Sequence, residues 1–302
     1  MTQQPLHIPV MKDQIIEQLS PVIERSENPR YFDGTFGRGG HLREILRQFP
    51  KLTAVAVDQD LEAIEYGRKE FSTEIQEGRL LIEHLNFANF TEEKFGKFDA
   101  MLVDLGVSSP QLDEGRRGFS FYHDGPLDMR MDATKGMTAA ELIATASEEE
   151  LNEIFHQLGE IQKPYRVTRA IVHDREKEAF LTTRQLASLV ERVEGWRRKG
   201  FHPATQYFMA LRLSVNRELE VVQNSMIPLI HGLTARGRLA VLTFHSLEDR
   251  IVKNLFKEQT ELGTPLFKKV IQPEWAEQKK NPRSRSAKLR IFERSGNEPP
   301  TY

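Results

Sequence analysis

Residues 33–41, Asp-Gly-Thr-Phe-Gly-Arg-Gly-Gly-His, lie between a short apolar run led by Tyr31-Phe32 and a helical pattern made by Leu42, Ile45, Leu46 and Phe49. Glycines at a strand-to-helix turn let the backbone approach a ligand closely, and the N-terminus of the following helix favours an anion. Asp58 ends the next β-branched run, Thr53 to Val57, where a carboxylate can bind the hydroxyls of a ribose. Strand, turn, helix and acid in this order constrain the chain to a parallel βαβ sheet with a nucleoside cofactor. The competing interpretation is a glycine-rich turn beside an unrelated acid.

The alternation continues. Leu61 to Phe71 has helical spacing, Leu80 to Glu83 reads as a third strand and Phe98 to Val103 as a fourth. Residues 105–136 then lose all periodicity, and the apolar runs that follow are helical. Ser147 with Glu150, and Thr182 with Gln185, have the spacing of capping boxes ahead of helices. Pro203 opens a long helical pattern through Phe208, Leu211, Val215, Leu219 and Val222. Leu239 to Phe244 reads as a fifth strand, a helix follows from about Leu247, and Pro265 to Ile271 and Lys288 to Phe292 are candidates for the closing strands. The expected fold is α/β, a doubly wound Rossmann-like sheet interrupted by a helical subdomain. Its expected boundaries are 1–109 and 201–302 for the sheet domain and 110–200 for the insertion.

Composition removes several chemistries. The chain has no cysteine, which excludes disulfides, thiolate metal sites, iron–sulfur clusters and covalent activation of a pyrimidine by a cysteine nucleophile. A base acceptor is then a nitrogen or a hydroxyl. No apolar run approaches a membrane span and the first residues carry no signal-peptide pattern, so the expected location is cytoplasmic. The net charge is -2, but Lys279, Lys280, Arg283, Arg285, Lys288 and Arg290 form a basic stripe without an acid, and Arg197-Arg198-Lys199 is a second cluster. Such stripes suit phosphate contact, or are simply solvated faces.

A dinucleotide fingerprint starting at Gly37 needs a small residue at position 42, where the chain has leucine. The turn suits S-adenosylmethionine instead, whose methionyl carboxylate alone has to meet the helix end. Phe87, after the third strand, is placed to pack on adenine or to fill the core. The fourth strand ends in Asp104-Leu105-Gly106-Val107-Ser108-Ser109-Pro110-Gln111, at the edge where cofactor and acceptor meet in amino-methyltransferases. An exocyclic amine is a poor nucleophile, so the site has to hold it in line and accept its N–H hydrogens. Asp104 and Ser109 are the catalytic candidates, with His245 after the fifth strand as a third. Ser246 and Asp249 are expected to cap the next helix. Arg117, Phe119 and Arg130 suit stacking on bases and phosphate contact, or an ordered loop packed on the sheet. Asp124, Asp128 and Asp132 suggest no metal, since methyl transfer needs none.

Taken together, these stretches resemble the bacterial small-subunit ribosomal RNA methyltransferase family that modifies N4 of a cytidine (the RsmH/MraW type). The matching segments are His7 to Val10, Asp33 to His41, Asp104 to Gln111, Arg117 to Phe121, Gly125 to Asp132, His202 to Thr205, Ala210 to Glu218, Phe244 to Lys253 and Asn281 to Arg290. The resemblance implies a class I methyltransferase sheet with an inserted domain for RNA, and a cofactor site of Gly39, Gly40, His41, Asp58, Phe87, Asp104 and Gln111. It implies an RNA partner, the small-subunit ribosomal RNA near the decoding site and within the ribosomal subunit, with Arg117, Phe119, Arg130, His202, Arg283 and Arg285 as candidate contacts. The chain departs from its relatives at Gly159-Glu160-Ile161 and in a short segment between Glu258 and Asn281. Rival interpretations are a methyltransferase for another RNA nitrogen or for DNA, a non-catalytic RNA-binding assembly factor, and a nicotinamide-dependent oxidoreductase.

Overall fold

A computed structural model describes residues 9–196 and 202–296. The chain forms two compact units, one made of Met1–Gly106 with Leu219–Tyr302 and the other of Val107–Glu218. The first pass of the sheet unit runs α1 (Lys12–Glu24), β1 (Arg30–Asp33), α2 (Gly40–Gln48), β2 (Thr53–Asp58), α3 (Leu61–Glu70), α4 (Ser72–Gln76), β3 (Leu80–His84), α5 (Glu92–Phe95) and β4 (Phe98–Asp104). The helical unit follows with α6 (Ser109–Asp113), α7 (Ala139–Thr145), α8 (Glu148–Gln157), α9 (Tyr165–Arg175), α10 (Thr183–Glu194) and α11 (Thr205–Val215). The chain then returns to the sheet with α12 (Glu218–His231), β5 (Leu233–Thr243), α13 (Ser246–Glu258), β6 (Gly263–Pro265), α14 (Trp275–Lys280) and β7 (Lys288–Arg294).

The seven strands lie in the order β3-β2-β1-β4-β5-β7-β6. Strands β1 to β5 pair in parallel and β7 runs antiparallel between β5 and β6. This is the expected class I methyltransferase sheet. Its central strands are buried on both faces, which is why they read as continuous apolar runs. Alternate residues serve opposite layers. Tyr31, Ala54, Ala56, Ala100, Leu102, Ala240 and Leu242 join the core shared with α1, α2 and α3. Phe32, Val55, Val57, Met101, Val103, Leu239 and Val241 face the other core, with Phe87, Phe90 and Phe95 and with α12 and α13. Strand order reverses between β1 and β4, so their carboxyl ends flank the crevice where a doubly wound sheet takes its ligand.

The structure corrects the expected elements in four places. The helix expected from Pro203 to Val222 is two helices, broken where Arg217 turns to φ 49°. The Asn216 side chain holds this break by donating to Met129 O at 2.8 Å and accepting from Met131 N at 2.7 Å. Consequently α11 belongs to the helical core, through Tyr207, Phe208, Ala210 and Leu211, and that unit extends beyond 110–200 at both ends. Strand β5 begins at Leu233 rather than Leu239, with a register shift on β4 between Phe98 and Ala100. The closing strand β6 is only Gly263–Pro265, and Ile271 makes an isolated bridge to Leu289. Finally α13 is capped by His245 and Glu248, not by Ser246 and Asp249.

Candidate active site

The loop after β1 is fixed across two strand ends. Gly34 N donates to Leu102 O at 2.8 Å, and Phe36 N donates to Val57 O at 3.0 Å. Gly39 stands at the head of α2 with φ 68° and offers no side-chain cap. With no side chain at the N-cap to take up the first amides of α2, this helix end is suited to an anion. The glycines themselves answer mainly to packing. A Cβ on Gly39 would lie 2.6 Å from the rings of Phe36 and Phe71, and one on Gly40 would lie 2.6 Å from Pro9.

Asp58 closes β2 half-buried. Its Oδ2 accepts from Gly37 N at 2.7 Å and its Oδ1 from Asp60 N at 2.8 Å. A carboxylate offers about four lone-pair sites, so these bonds leave capacity for a hydroxyl donor. Burial pushes the carboxyl up to about 6, against the pull of the Asp60 and Gly37 amides. Asp58→Ala is expected to weaken cofactor binding by about 1–3 kcal/mol, through loss of charge-assisted hydrogen bonds. Because the ionised form is the acceptor, affinity should be full above about pH 7 and fall as pH drops through about 6, about tenfold per unit below it. Calorimetric titration at several pH values checks both; a pH-independent dissociation constant equal in wild type and variant would place the ribose elsewhere.

At the carboxyl ends of β1 and β4 sits a cluster of buried polar groups. Asp104 Oδ2 lies 3.7 Å from His41 Nε2. Asp104 Oδ1 and His41 Nε2 are both buried without a hydrogen-bond partner. Asp104 N donates to Thr35 Oγ1 at 2.7 Å, which ties β4 to the loop. Asp33, beneath them, accepts from Thr35 N at 3.1 Å. Burial raises its carboxyl to about 7, although the neighbouring His41 pulls it down. Burial also raises the Tyr31 phenol, helped by the charges of Asp33 and Asp104. Neither Asp33 nor Tyr31 was singled out in the sequence. Asp33 stood there only as the lead-in to the glycine-rich turn, and Tyr31 only as part of the first apolar run.

The other expected residues fall into different surroundings. Phe87 is buried in the core with Phe32 and Phe90, and Gly34 makes room for it, since a Cβ there would meet Phe87 Cβ at 3.1 Å. His245 caps α13: its Nδ1 accepts from Glu248 N at 3.4 Å and its Nε2 lies 2.9 Å from Glu248 Oε1. Its imidazole is thus engaged in holding a helix start. Ser109 and Gln111 belong to the helical unit, on α6. There Gln111 is buried and accepts from Ser108 N at 2.9 Å, completing a capping box.

Two expected RNA contacts are corrected by burial. Arg117 is buried, and its guanidinium donates to Arg130 O and Met131 O at 3.1 Å each. Phe119 is buried in the helical core. Both shape the loop instead of facing a base. Arg130 forms a two-pronged pair with Asp128, at 2.8 Å through both Nε and Nη2. His202 packs its ring against Phe121 at 4.2 Å and lies 2.9 Å from Glu191. Arg283 and Arg285 are exposed. Arg197-Arg198-Lys199 and His7-Ile8 lie outside the described residues. The three loop acids are occupied: Asp124 accepts from Arg184 N, Asp128 from Arg130 and Asp132 from Thr134. Among the described residues no helix is long and apolar enough to cross a membrane.

Residues 4–295 match the family model described as the MraW methylase family. A relative from Bdellovibrio bacteriovorus named ribosomal RNA small subunit methyltransferase H is 56% identical over 291 residues, 96% of this chain and 88% of its own length. One of the same name from a Cyanothece species is 45% identical over 289 residues, covering 96% and 95%. Among solved structures, an rRNA methylase from Streptococcus thermophilus aligns over 98% of this chain and 99% of its own, with 10% identity and a TM-score of 0.45.

Proposed function

The chain belongs to the MraW methylase family, and from that premise we propose that it methylates the exocyclic N4 amine of a cytidine in small-subunit ribosomal RNA, near the decoding site. It is an S-adenosylmethionine-dependent ribosomal RNA methyltransferase, and its relatives carry the name ribosomal RNA small subunit methyltransferase H. The residues present fit that cofactor. The uncapped start of α2 suits a carboxylate, Asp58 has acceptor capacity at the strand end, and Asp104 presents a buried oxygen without a hydrogen-bond partner among the described residues. When bound, S-adenosylmethionine supplies a methyl group activated by a positively charged sulfur.

The observation that carries the reading is Asp104. An anilinic amine becomes a better nucleophile as its N–H hydrogens are drawn toward an acceptor, and it gathers positive charge as it takes a methyl group. A half-buried carboxylate at the mouth of β4, with one oxygen buried, accepts such a hydrogen and stabilises that charge. The surplus proton passes from the nitrogen to the Asp104 carboxylate and on to solvent, and no covalent link between protein and base is needed. Ser109 and Gln111 follow β4 directly in the chain. We assign Ser109 to the acceptor from its place after β4, and the resemblance implies Gln111 for the cofactor. Arg283 and Arg285 are assigned to phosphate. A cytoplasmic enzyme working on the assembling subunit is the setting this reading implies.

Two measurements test it. Mass spectrometry of ribosomal RNA nucleosides from cells with and without the protein should show loss of N4-methylated cytidine. RNA carrying 5-fluorocytidine at the target position traps enzymes that attack ring carbon 6. Here it should turn over cleanly, whereas an adduct surviving denaturation would refute direct transfer.

A further inference from the structure

The basic stripe of residues 279–290 is divided by the structure. Lys288 and Arg290 are committed to the fold, because Asp249 on α13 accepts from them at 3.2 and 2.7 Å. Lys279, Lys280, Arg283 and Arg285 are exposed on α14 and the turn after it. At the head of the same helix Trp275 is 74% exposed, an unusual place for the largest aromatic side chain. Lys279, one turn on, holds its ammonium 5.3 Å from the centre of the indole. With one face of the ring under a cation and three quarters of its surface in solvent, the opposite face is open.

We propose that Trp275 is a stacking platform for an unpaired base, and that Lys279, Lys280 and Arg285 grip the phosphates on either side, so that α14 binds a single-stranded segment of the RNA substrate. The inference rests on the RNA-methyltransferase reading and adds to it a residue and a substrate conformation. A base in a duplex has both faces covered by its neighbours and cannot lie on an indole, whereas a splayed base can, in any sequence. An apolar protein partner fits less well. It would bury the cations framing the ring without neutralising them, while phosphates match them. The nearby acids do not cancel the patch: Glu277 accepts from Met11 N at 2.6 Å, leaving Glu274 as the exposed acid of the helix start.

The chain has two tryptophans, so a Trp196→Phe background isolates the fluorescence of Trp275. Titration with a short single-stranded RNA should quench it, and the same sequence as a duplex should not. Trp275→Ala should weaken single-strand binding about tenfold and raise KM for ribosomal RNA without changing kcat. Trp275→Phe should retain most of the affinity, and Lys279→Ala with Lys280→Ala should flatten the salt dependence. Unquenched fluorescence on binding, or wild-type affinity in Trp275→Ala, overturns the proposal. Calorimetric S-adenosylmethionine binding should be unchanged in every variant. Absence of methyl transfer to ribosomal RNA by the wild-type protein would instead refute the enzymatic reading, whatever Trp275 does.

Discussion

Asp104→Ala is expected to slow methyl transfer by on the order of 100-fold or more, the largest loss among single substitutions at the site. The carboxylate has a buried oxygen with no hydrogen-bond partner among the described residues and lies 3.7 Å from His41. Its backbone bond to Thr35 persists in alanine, so the strand end should stay in place. The side chain's removal also leaves His41 without its carboxylate neighbour, and with the cofactor in the proposed site its affinity should fall several-fold. Asp104→Asn separates the two effects. It keeps size and one acceptor oxygen, and should bind cofactor nearly normally while losing most of the rate. Single-turnover transfer of labelled methyl, at saturating RNA and cofactor, reads the chemical step. An unchanged single-turnover rate in Asp104→Asn would remove the carboxylate's charge from the chemistry.

Gly39→Ala should destabilise the sheet unit by about 2–5 kcal/mol. Two terms add. A left-handed backbone at φ 68° costs a non-glycine residue about 1–2 kcal/mol. The new methyl group also meets Phe36 and Phe71 at 2.6 Å, and both rings are buried, so forcing them aside costs about 1–3 kcal/mol. Gly78→Ala is the matched control. Its φ is 71° with no atom within 4 Å of the added carbon, so it should show only the backbone term. Urea denaturation of the two variants side by side isolates the ring clash. Equal losses would mean that the aromatic pair yields without cost.

The strands of the sheet were legible because burial on both faces leaves an unbroken apolar signature, and the turn at 33–41 because its glycines punctuate it. The break at Asn216-Arg217 was not. Helical spacing runs straight through it, and the break is imposed by bonds from Asn216 to Met129 and Met131, more than eighty residues away in the chain. The same blindness to distant partners misjudged charge. Lys288 and Arg290 looked like members of one open stripe until Asp249 claimed them. Likewise Arg117 looked available until its carbonyl acceptors appeared. His245 and Glu248 form a capping box that a search for serine, threonine, aspartate or asparagine passes over. In the site itself, Asp58 and Asp104 were visible as acids ending strands. Asp33 was visible only as the lead-in to a glycine motif, because nothing local marks a carboxylate for burial.

The insertion between β4 and β5 also orders events during synthesis. Asp99 on β4 receives its bond from Thr234, which lies 135 residues further on. A ribosome adding about 5–20 residues per second needs roughly 7–27 s to deliver that partner. During that interval the first four strands have emerged while one side of β4 has no neighbour, with Met101, Leu102 and Val103 destined for full burial. The helical unit, continuous in sequence, is complete before the sheet can close. The nascent chain therefore passes through a stage in which a finished helical domain follows an open-edged half-sheet, and it is there that chaperone demand and misassembly should concentrate.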